Sequence, residues 1–240
     1  MTNVLAIDVG GTNVKLLVQG KRVPVKIPSG PTMTAARMVA AVTKATAEWD
    51  FDAVSIGYPG PVVRGRPARE PHNLGGGWMR ADFARALGRP VRMINDAAMQ
   101  ALGSHEGRAS GTMLFLGLGT GLGSALVLGD GVVVPMELAH LPYRHGRTYE
   151  EYVGAAGLER LGKDKWRKHV CEIVRILAAA MEADQIVLGG GNAKRLAKLR
   201  KRQLPAGTRL GDNSNAFRGG FRLWESDRNA HASSSVTPTS

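Results

Sequence analysis

The chain has a single cysteine, Cys171, in 240 residues. A disulfide within one chain and a four-cysteine zinc site are both excluded. Aromatic residues reach only 5%, too few rings for the stacking platforms of single-strand nucleic-acid binders. No apolar run approaches the ~18 residues of a membrane span. The opening MTNVLAIDVGG has no basic leader, long apolar stretch or small-residue cleavage site, so it does not read as a signal peptide, and a soluble, cytoplasmic protein is expected. Acidic residues are also short: 20 against 32 Lys and Arg, a net charge of +12. That balance attracts polyanions of any kind, whether nucleic acid, anionic membrane or a chain of phosphates, and does not choose among them.

What is abundant is glycine, with 31 residues, nearly double the usual share of roughly 7%, which favours tight turns and backbone-lined ligand loops. Hydrophobic residues make up 43% and charged residues 22%, ordinary globular values that exclude a wholly disordered chain. The length suits one large domain or two small ones.

The patterning begins with two apolar runs, Val4 to Ile7 and Val14 to Val18, joined by Gly10-Gly11-Thr12, a hairpin signature. A third strand is expected from Arg22 to Ile27, and a helix over Pro31 to Trp49 from the spacing of Met38, Val39, Val42, Ala45 and Trp49. Ala53 to Gly57 and Val91 to Ile94 read as strands, Arg80 to Leu87 as a helix, and Ala97 to Leu102 as the start of another. The second half repeats the opening: a strand from Thr112 to Leu116, the turn GLGTGLG, a partner strand from Ser124 to Leu128 and a glycine turn. Such repetition predicts two related half-domains facing one cleft. Trp166, Val170, Ile173, Val174, Leu177, Ala178 and Met181 recur at helical period over Lys163 to Glu182. A strand over Gln185 to Leu188 closes on Gly189-Gly190-Gly191, and a basic helix is expected from Ala193 to Arg202. The expected division is an α/β lobe over 1–105, completed by 213–226, a second α/β lobe over 106–212, and a flexible tail over 227–240.

Several groups of residues point to chemistry. Asp8, Gly10, Gly11, Thr12 and Lys15 sit around a hairpin tip, where backbone N–H groups, a hydroxyl and an ammonium can receive an anion and Asp8 can hold a metal-bound water. One such turn is equally a plain hairpin. Its recurrence with Gly119, Thr120 and Gly121, and again with Gly190 and Gly191, favours phosphate binding. A Walker A loop is absent. Asn95-Asp96 follows a strand directly, where ligands of open α/β sheets bind, although an Asp there also caps a helix. Glu137 and His140 are spaced to share one helical turn, and Glu150 follows; carboxylates and imidazoles grip sugar hydroxyls well but are also common surface groups.

DVGGTNVK, SIGYPGPV, NLGGGW, INDAAMQALG, LGLGTGLG, MELAHLPY and LGGGNA, in this order and spacing, resemble the ROK sugar-kinase family, and within it the polyphosphate-glucokinase branch. The resemblance runs from about Leu5 to Trp224 and implies the actin-like, RNase H-like fold, with two lobes around a central cleft. It implies transfer of a terminal phosphoryl group from inorganic polyphosphate, with or without ATP, to the 6-hydroxyl of glucose. The alternative is a strictly ATP-dependent ROK hexokinase. By the resemblance Asp96 matches the catalytic base, Asn95 its sugar-binding neighbour, Glu137 and His140 the E-x-G-H sugar contacts with Ala139 in place of the glycine, Glu150 the following carboxylate, and Asn73 the asparagine bordering the sugar. Magnesium near Asp8, through water, is implied as cofactor.

The family's structural zinc, held by one His and three Cys after E-x-G-H, has no counterpart in LPYRHGRTYEEY, so no zinc is expected and packing must hold that stretch. Expected partners are glucose, polyphosphate or a nucleotide, and a second copy in a homodimer, with no membrane or nucleic acid. A ROK-type repressor needs a DNA-binding segment before the first strand, and Val4 leaves no room for one. A sugar-binding protein without catalysis would not need Asp96. The run NAKRLAKLRKRQ after the glycine triplet carries six Lys or Arg; it reads as a polyphosphate track or as a solvated basic face.

Overall fold

The structure, a computed structural model, describes residues 2–106, 111–197, 203–212 and 214–225. The chain forms two compact units. One runs to Ile94 and takes up the chain again from Phe217; the other is Asn95–Ala216. The sequence reading divided the chain after 105 and before 213. The helix at 96–104 belongs with the second unit because it lies along that unit's strands.

In the first unit β1 (Val4–Val9) and β2 (Asn13–Val18) form the expected hairpin, with Asp8 opposite Lys15 and Val9 opposite Val14. β3 (Val25–Pro28) pairs antiparallel with β2 and starts later than Arg22, because Val23 is 78% exposed and Pro24 has no N–H for a ladder. Helix α1 (Ala35–Ala45) is shorter than its apolar spacing suggested. Thr34 caps it by accepting from the Arg37 amide, which fixes the start four residues after Pro31. β4 (Ala53–Tyr58) runs parallel to β1, and a small ribbon of β5 (Val62–Val63) and β6 (Arg66–Pro67) follows. The Asp82 side chain accepts from the Arg85 amide, so α2 (Phe83–Leu87) begins at Phe83 rather than Arg80, and β7 (Val91–Asn95) completes the sheet.

The strand order is β3-β2-β1-β4-β7. Period-two alternation decides the two faces. Leu5, Ile7, Val9, Val14, Leu16, Val54, Ile56 and Tyr58 pack with Met38, Val42 and Trp78, while Ala6 and Leu17 meet Phe217 on the other side.

The second unit opens with α3 (Asp96–Ser104). It is followed by β8 (Met113–Leu118), β9 (Leu122–Val127) and β10 (Val133–Met136). A 3-10 turn at Leu138–His140 leads to the ribbon β11 (Pro142–Arg144) and β12 (Arg147–Thr148), then to α4 (Tyr149–Val153) and α5 (Ala155–Ala180). Gly162, at φ 73°, breaks α5 one residue before the expected helix start at Lys163; a left-handed residue cannot continue a right-handed helix. β13 (Gln185–Gly189), a 3-10 turn at Ala193–Leu196, β14 (Thr208–Leu210) and α6 (Asn215–Arg222) end the fold. The sheet order β10-β9-β8-β13-β14 reproduces the first unit's plan: two antiparallel neighbours on one side of the first strand, a parallel strand on the other. The expected duplication is therefore present in the topology.

Leu114, Leu116 and Leu118 of β8 and Ile186 and Leu188 of β13 meet Trp166, Val170, Ile173, Val174 and Leu177 of α5. Cys171, on the same helix, is also buried. Of the basic helix expected at 193–202, the described part is the 3-10 turn; residues 198–202 lie outside the described residues, as does the tail over 227–240. Among the described residues no helix is long and apolar enough to cross a membrane.

Candidate active site

The two glycine hairpins share one local construction. In the first, the Gly10 amide donates to the Asn13 carbonyl at 3.0 Å and so closes the turn rather than facing a ligand. The amides of Gly11 and Thr12 make no hydrogen bond among the described residues. In the second, the Gly119 amide donates to the Gly121 carbonyl at 3.1 Å, and the amides of Thr120 and Gly121 are left in the same way. Each tip thus offers an adjacent pair of N–H groups, the arrangement that receives an anion.

Ser29, which the sequence reading passed over, holds the first tip from behind. Its hydroxyl donates to the Gly10 carbonyl at 2.6 Å and its amide to the Thr12 carbonyl at 2.9 Å. No sequence signal marks it. Asn73 sits at the same tip, exposed, its Cβ 3.3 Å from where a Gly11 side chain would begin. Asp8 is buried, and Lys15, directly across the hairpin, donates to its Oδ2 at 2.9 Å.

Asn95 and Asp96 sit where β7 runs into α3. The sequence reading gave Asp96 the capping alternative, but the cap is Asn95: its buried Oδ1 accepts from the Ala98 amide at 3.1 Å. Asp96 is the first helical residue, half-buried, and its Oδ1 accepts from the Ala97 amide at 2.7 Å. The carboxylate therefore lies at the positive end of the α3 dipole.

Glu137 and His140 flank a 3-10 turn whose intervening Leu138 and Ala139 are buried. This anchoring turns both side chains outward, with His140 Nε2 3.8 Å from Glu137 Oε2 and exposures of 71% and 59%. Glu150, on α4, reaches the second glycine hairpin: its Oε2 accepts from the Leu122 amide at 3.1 Å and would lie 2.0 Å from a Cβ on Gly121. Glu151 serves the helix instead, completing a capping box with Thr148; the T-x-x-E pattern of the sequence announces this role.

The stretch from Tyr143 to Tyr152 is held by rings. Tyr143 packs on Tyr149, Tyr152 and His169 at centroid distances of 5.4, 4.9 and 5.7 Å, with Tyr152 on His169 at 4.7 Å. The Tyr143 hydroxyl lies 3.0 Å from His169 Nδ1, and Arg144 pairs with Glu172. Burial, and then the Glu172 carboxylate, push the Tyr143 phenol up. Burial followed by the Arg144 charge pulls the His169 imidazole down. For Glu172 burial opposes ionisation, but hydrogen bonds from Tyr143 and Arg144 prevail and hold its carboxyl below the usual range. The network is satisfied when neutral His169 donates to Tyr143 and Tyr143 donates to Glu172. Among the described residues no three His, Cys, Asp or Glu side chains gather as a metal site.

Within the second unit, then, the structure carries Asn95, Asp96, Glu137, His140, Glu150, the Gly119-Thr120-Gly121 tip and Gly190-Gly191. The first unit carries Asp8, Gly10, Gly11, Thr12, Lys15 and Asn73. The third glycine run differs residue by residue. Gly190, at φ 81°, is pressed on the Leu118 backbone, whereas Gly191 is exposed with nothing within 4 Å of a would-be Cβ. Asn192, also unforeseen, ties this turn to the second hairpin by donating from its amide to the Leu118 carbonyl at 2.9 Å and from Nδ2 to the Gly119 carbonyl at 3.2 Å.

The ROK family model matches residues 4–137, and the chain belongs to the ROK family. Its relatives include proteins named polyphosphate glucokinase. One from Mycobacterium leprae is 26% identical over 79% of this chain and 63% of its own length. One from Mycobacterium tuberculosis is 27% identical over 80% of this chain and 78% of its own. The chain thus spans less than two thirds of the M. leprae relative. Among solved structures, the inorganic polyphosphate/ATP-glucomannokinase from Arthrobacter sp. strain KM superposes with a TM-score of 0.76 at 27% identity, covering 91% of this chain and 96% of that one. The fold is the actin-like ATPase fold of the ROK sugar kinases.

Proposed function

We propose that this protein is a glucokinase that moves a terminal phosphoryl group from inorganic polyphosphate, and from ATP, to the 6-hydroxyl of glucose. The observation that carries the reading is the division of labour at the start of α3. Asn95 fills the cap, so Asp96 is not needed there and its half-buried carboxylate can act as general base. Phosphoryl transfer asks for an in-line hydroxyl and neutralised phosphate charge more than for covalent help.

In this reading Asn95, Glu137, His140 and Glu150 of the second unit hold the sugar hydroxyls, while Asp96 takes the proton of the attacking hydroxyl; Asn73 is the first unit's candidate sugar contact. The paired amides at each hairpin tip, with Lys15 at the first, are groups suited to absorbing negative charge on a phosphate. Magnesium, when bound, would supply further charge neutralisation at the phosphates. Asp8 fits it as one carboxylate acting through water, since magnesium in such sites takes one or two protein carboxylates and leaves the rest to phosphates and water. Lys15 already occupies one Asp8 oxygen.

Polyphosphate as a donor is supported by the names of the relatives, and the net charge of +12 suits a polyanion. A coupled assay for glucose 6-phosphate, run with polyphosphate and ATP separately, tests it. Product with polyphosphate is expected. Product with ATP alone would hand the assignment to the strictly ATP-dependent hexokinase, and product with neither would refute the proposal.

A further inference from the structure

We infer that Arg195 is a donor-phosphate contact of the second glycine hairpin, an inference that rests on the phosphotransferase reading above. Its guanidinium is tethered through Nε. Nε donates to Asn192 Oδ1 at 3.0 Å, and Asn192 in turn donates to the Gly119 carbonyl at 3.2 Å, so the arginine hangs from the hairpin tip by a two-bond chain. Its backbone is pinned separately: the Arg195 carbonyl accepts from Nε of Arg167 at 2.9 Å and from a terminal nitrogen of the same guanidinium.

Arg167 has its own carboxylate, Asp164, at 3.5 Å. Arg195 is exposed and makes no ion pair among the described residues. An arginine whose Nε is spoken for presents the edge formed by its two terminal nitrogens, the fork that takes two oxygens of one phosphate. In the same turn Gly191 is open, and at the hairpin tip to which Asn192 is bonded the Thr120 and Gly121 amides make no hydrogen bond among the described residues. An arginine tethered through Nε loses less conformational freedom on meeting an anion than a freely moving surface lysine would. The ligand chemistry is a phosphoanhydride, which polyphosphate and a nucleoside triphosphate both supply.

The test compares wild type with Arg195→Gln, Arg195→Lys and, as a control for charge alone, Lys194→Gln. Lys194 is an exposed neighbour whose side chain makes no contact with the hairpin among the described residues. Michaelis constants for glucose, polyphosphate and ATP are measured at several salt concentrations, and binding of inorganic tripolyphosphate is measured by calorimetry without any sugar.

Arg195→Gln should raise the donor constant about tenfold or more, the loss expected of a charge-assisted double hydrogen bond. The glucose constant and the melting midpoint should stay in place. Arg195→Lys should recover only part of the loss, because it keeps the charge but not the fork, and Lys194→Gln should stay near wild type. A loss confined to polyphosphate, or shared by ATP, says which donors run past the tip; either supports the contact.

The inference is overturned if Arg195→Gln leaves donor constants and tripolyphosphate binding unchanged, if Lys194→Gln has the same effect, or if both substrates weaken together with the melting midpoint. Should the wild type phosphorylate no sugar, the phosphotransferase reading fails on its own. Arg195 is then judged by tripolyphosphate binding, which Arg195→Gln must weaken for the contact to stand.

Discussion

Gly190 and Gly191 are adjacent and look equivalent in the sequence, yet alanine at each should do opposite things. At Gly190 a Cβ would fall 2.5 Å from the Leu118 carbonyl oxygen and 2.7 Å from its carbon and nitrogen, all backbone atoms at the end of β8. No rotamer change relieves such a clash; a strand end must move. The residue also sits at φ 81°, which for a side-chain-bearing residue costs roughly 1–2 kcal/mol. Overpacking adds about 1–3 kcal/mol, so Gly190→Ala should destabilise by about 2–5 kcal/mol. With a urea slope of about 2–3 kcal/mol/M for a chain of this size, the unfolding midpoint should fall by roughly 1–2 M.

Gly191 has open space around it and no positive φ. Alanine there should change stability by less than about 0.5 kcal/mol. If a donor phosphate approaches that backbone, the added methyl should instead raise the donor Michaelis constant. Urea melts of the two variants followed by donor kinetics decide the matter. Equal destabilisation by both, or a benign Gly190→Ala, would refute the division into a packing glycine and a ligand-facing one.

Two further outcomes follow from the site. Asp96→Asn should lower turnover by about 100-fold or more while glucose binding and the melting midpoint hold, because the cap belongs to Asn95; near-normal turnover would remove Asp96 as the base. Gly121→Ala must evict the Glu150 carboxylate and break its bond to the Leu122 amide, costing about 1–2 kcal/mol. It should raise the glucose Michaelis constant as Glu150→Gln does, and an unchanged constant in both variants would take Glu150 out of the sugar site.

The architecture was legible where burial dictates the pattern. β1, β4 and β8 are apolar runs closed by glycine turns, and their two-fold recurrence announces two sheets of one design. Boundaries were less legible wherever a polar side chain, rather than apolar spacing, sets them. Thr34 and Asp82 start α1 and α2 later than the hydrophobic pattern does. At the site, the residue types and the turns could be read, but not the long-range polar ties. Ser29 bridges the first tip across 19 residues, and Asn192 reaches Gly119 from 73 residues away and holds Arg195 on its own side chain. Nothing in local spacing encodes such contacts. Gly190 and Gly191 were indistinguishable for the same reason, since the position of Leu118 and the backbone φ, neither visible in the sequence, separate them.

The stretch without zinc ligands was expected to rely on packing, and the way it does so makes it sensitive to protons. A zinc site draws its strength from metal–ligand bonds. Here the equivalent segment is fixed by the contact of Tyr143 and Tyr152 with His169, backed by Glu172, Arg144 and the Arg160 guanidinium over the Tyr152 ring. Burial and the Arg144 charge hold His169 below its ordinary value of about 6.5. In the window beneath that value the unfolded chain therefore binds the proton that the folded protein refuses. Stability contributed by neutral His169 is complete above about pH 6.5 and is lost as pH falls through the depressed folded value. Glu172 and Arg144 titrate outside that window. Urea midpoints should thus drop between about pH 7.5 and 5.5 in the wild type and drop less in His169→Gln, which cannot charge. Equal drops in the two proteins would show that the ring cluster holds the segment without regard to the charge on His169.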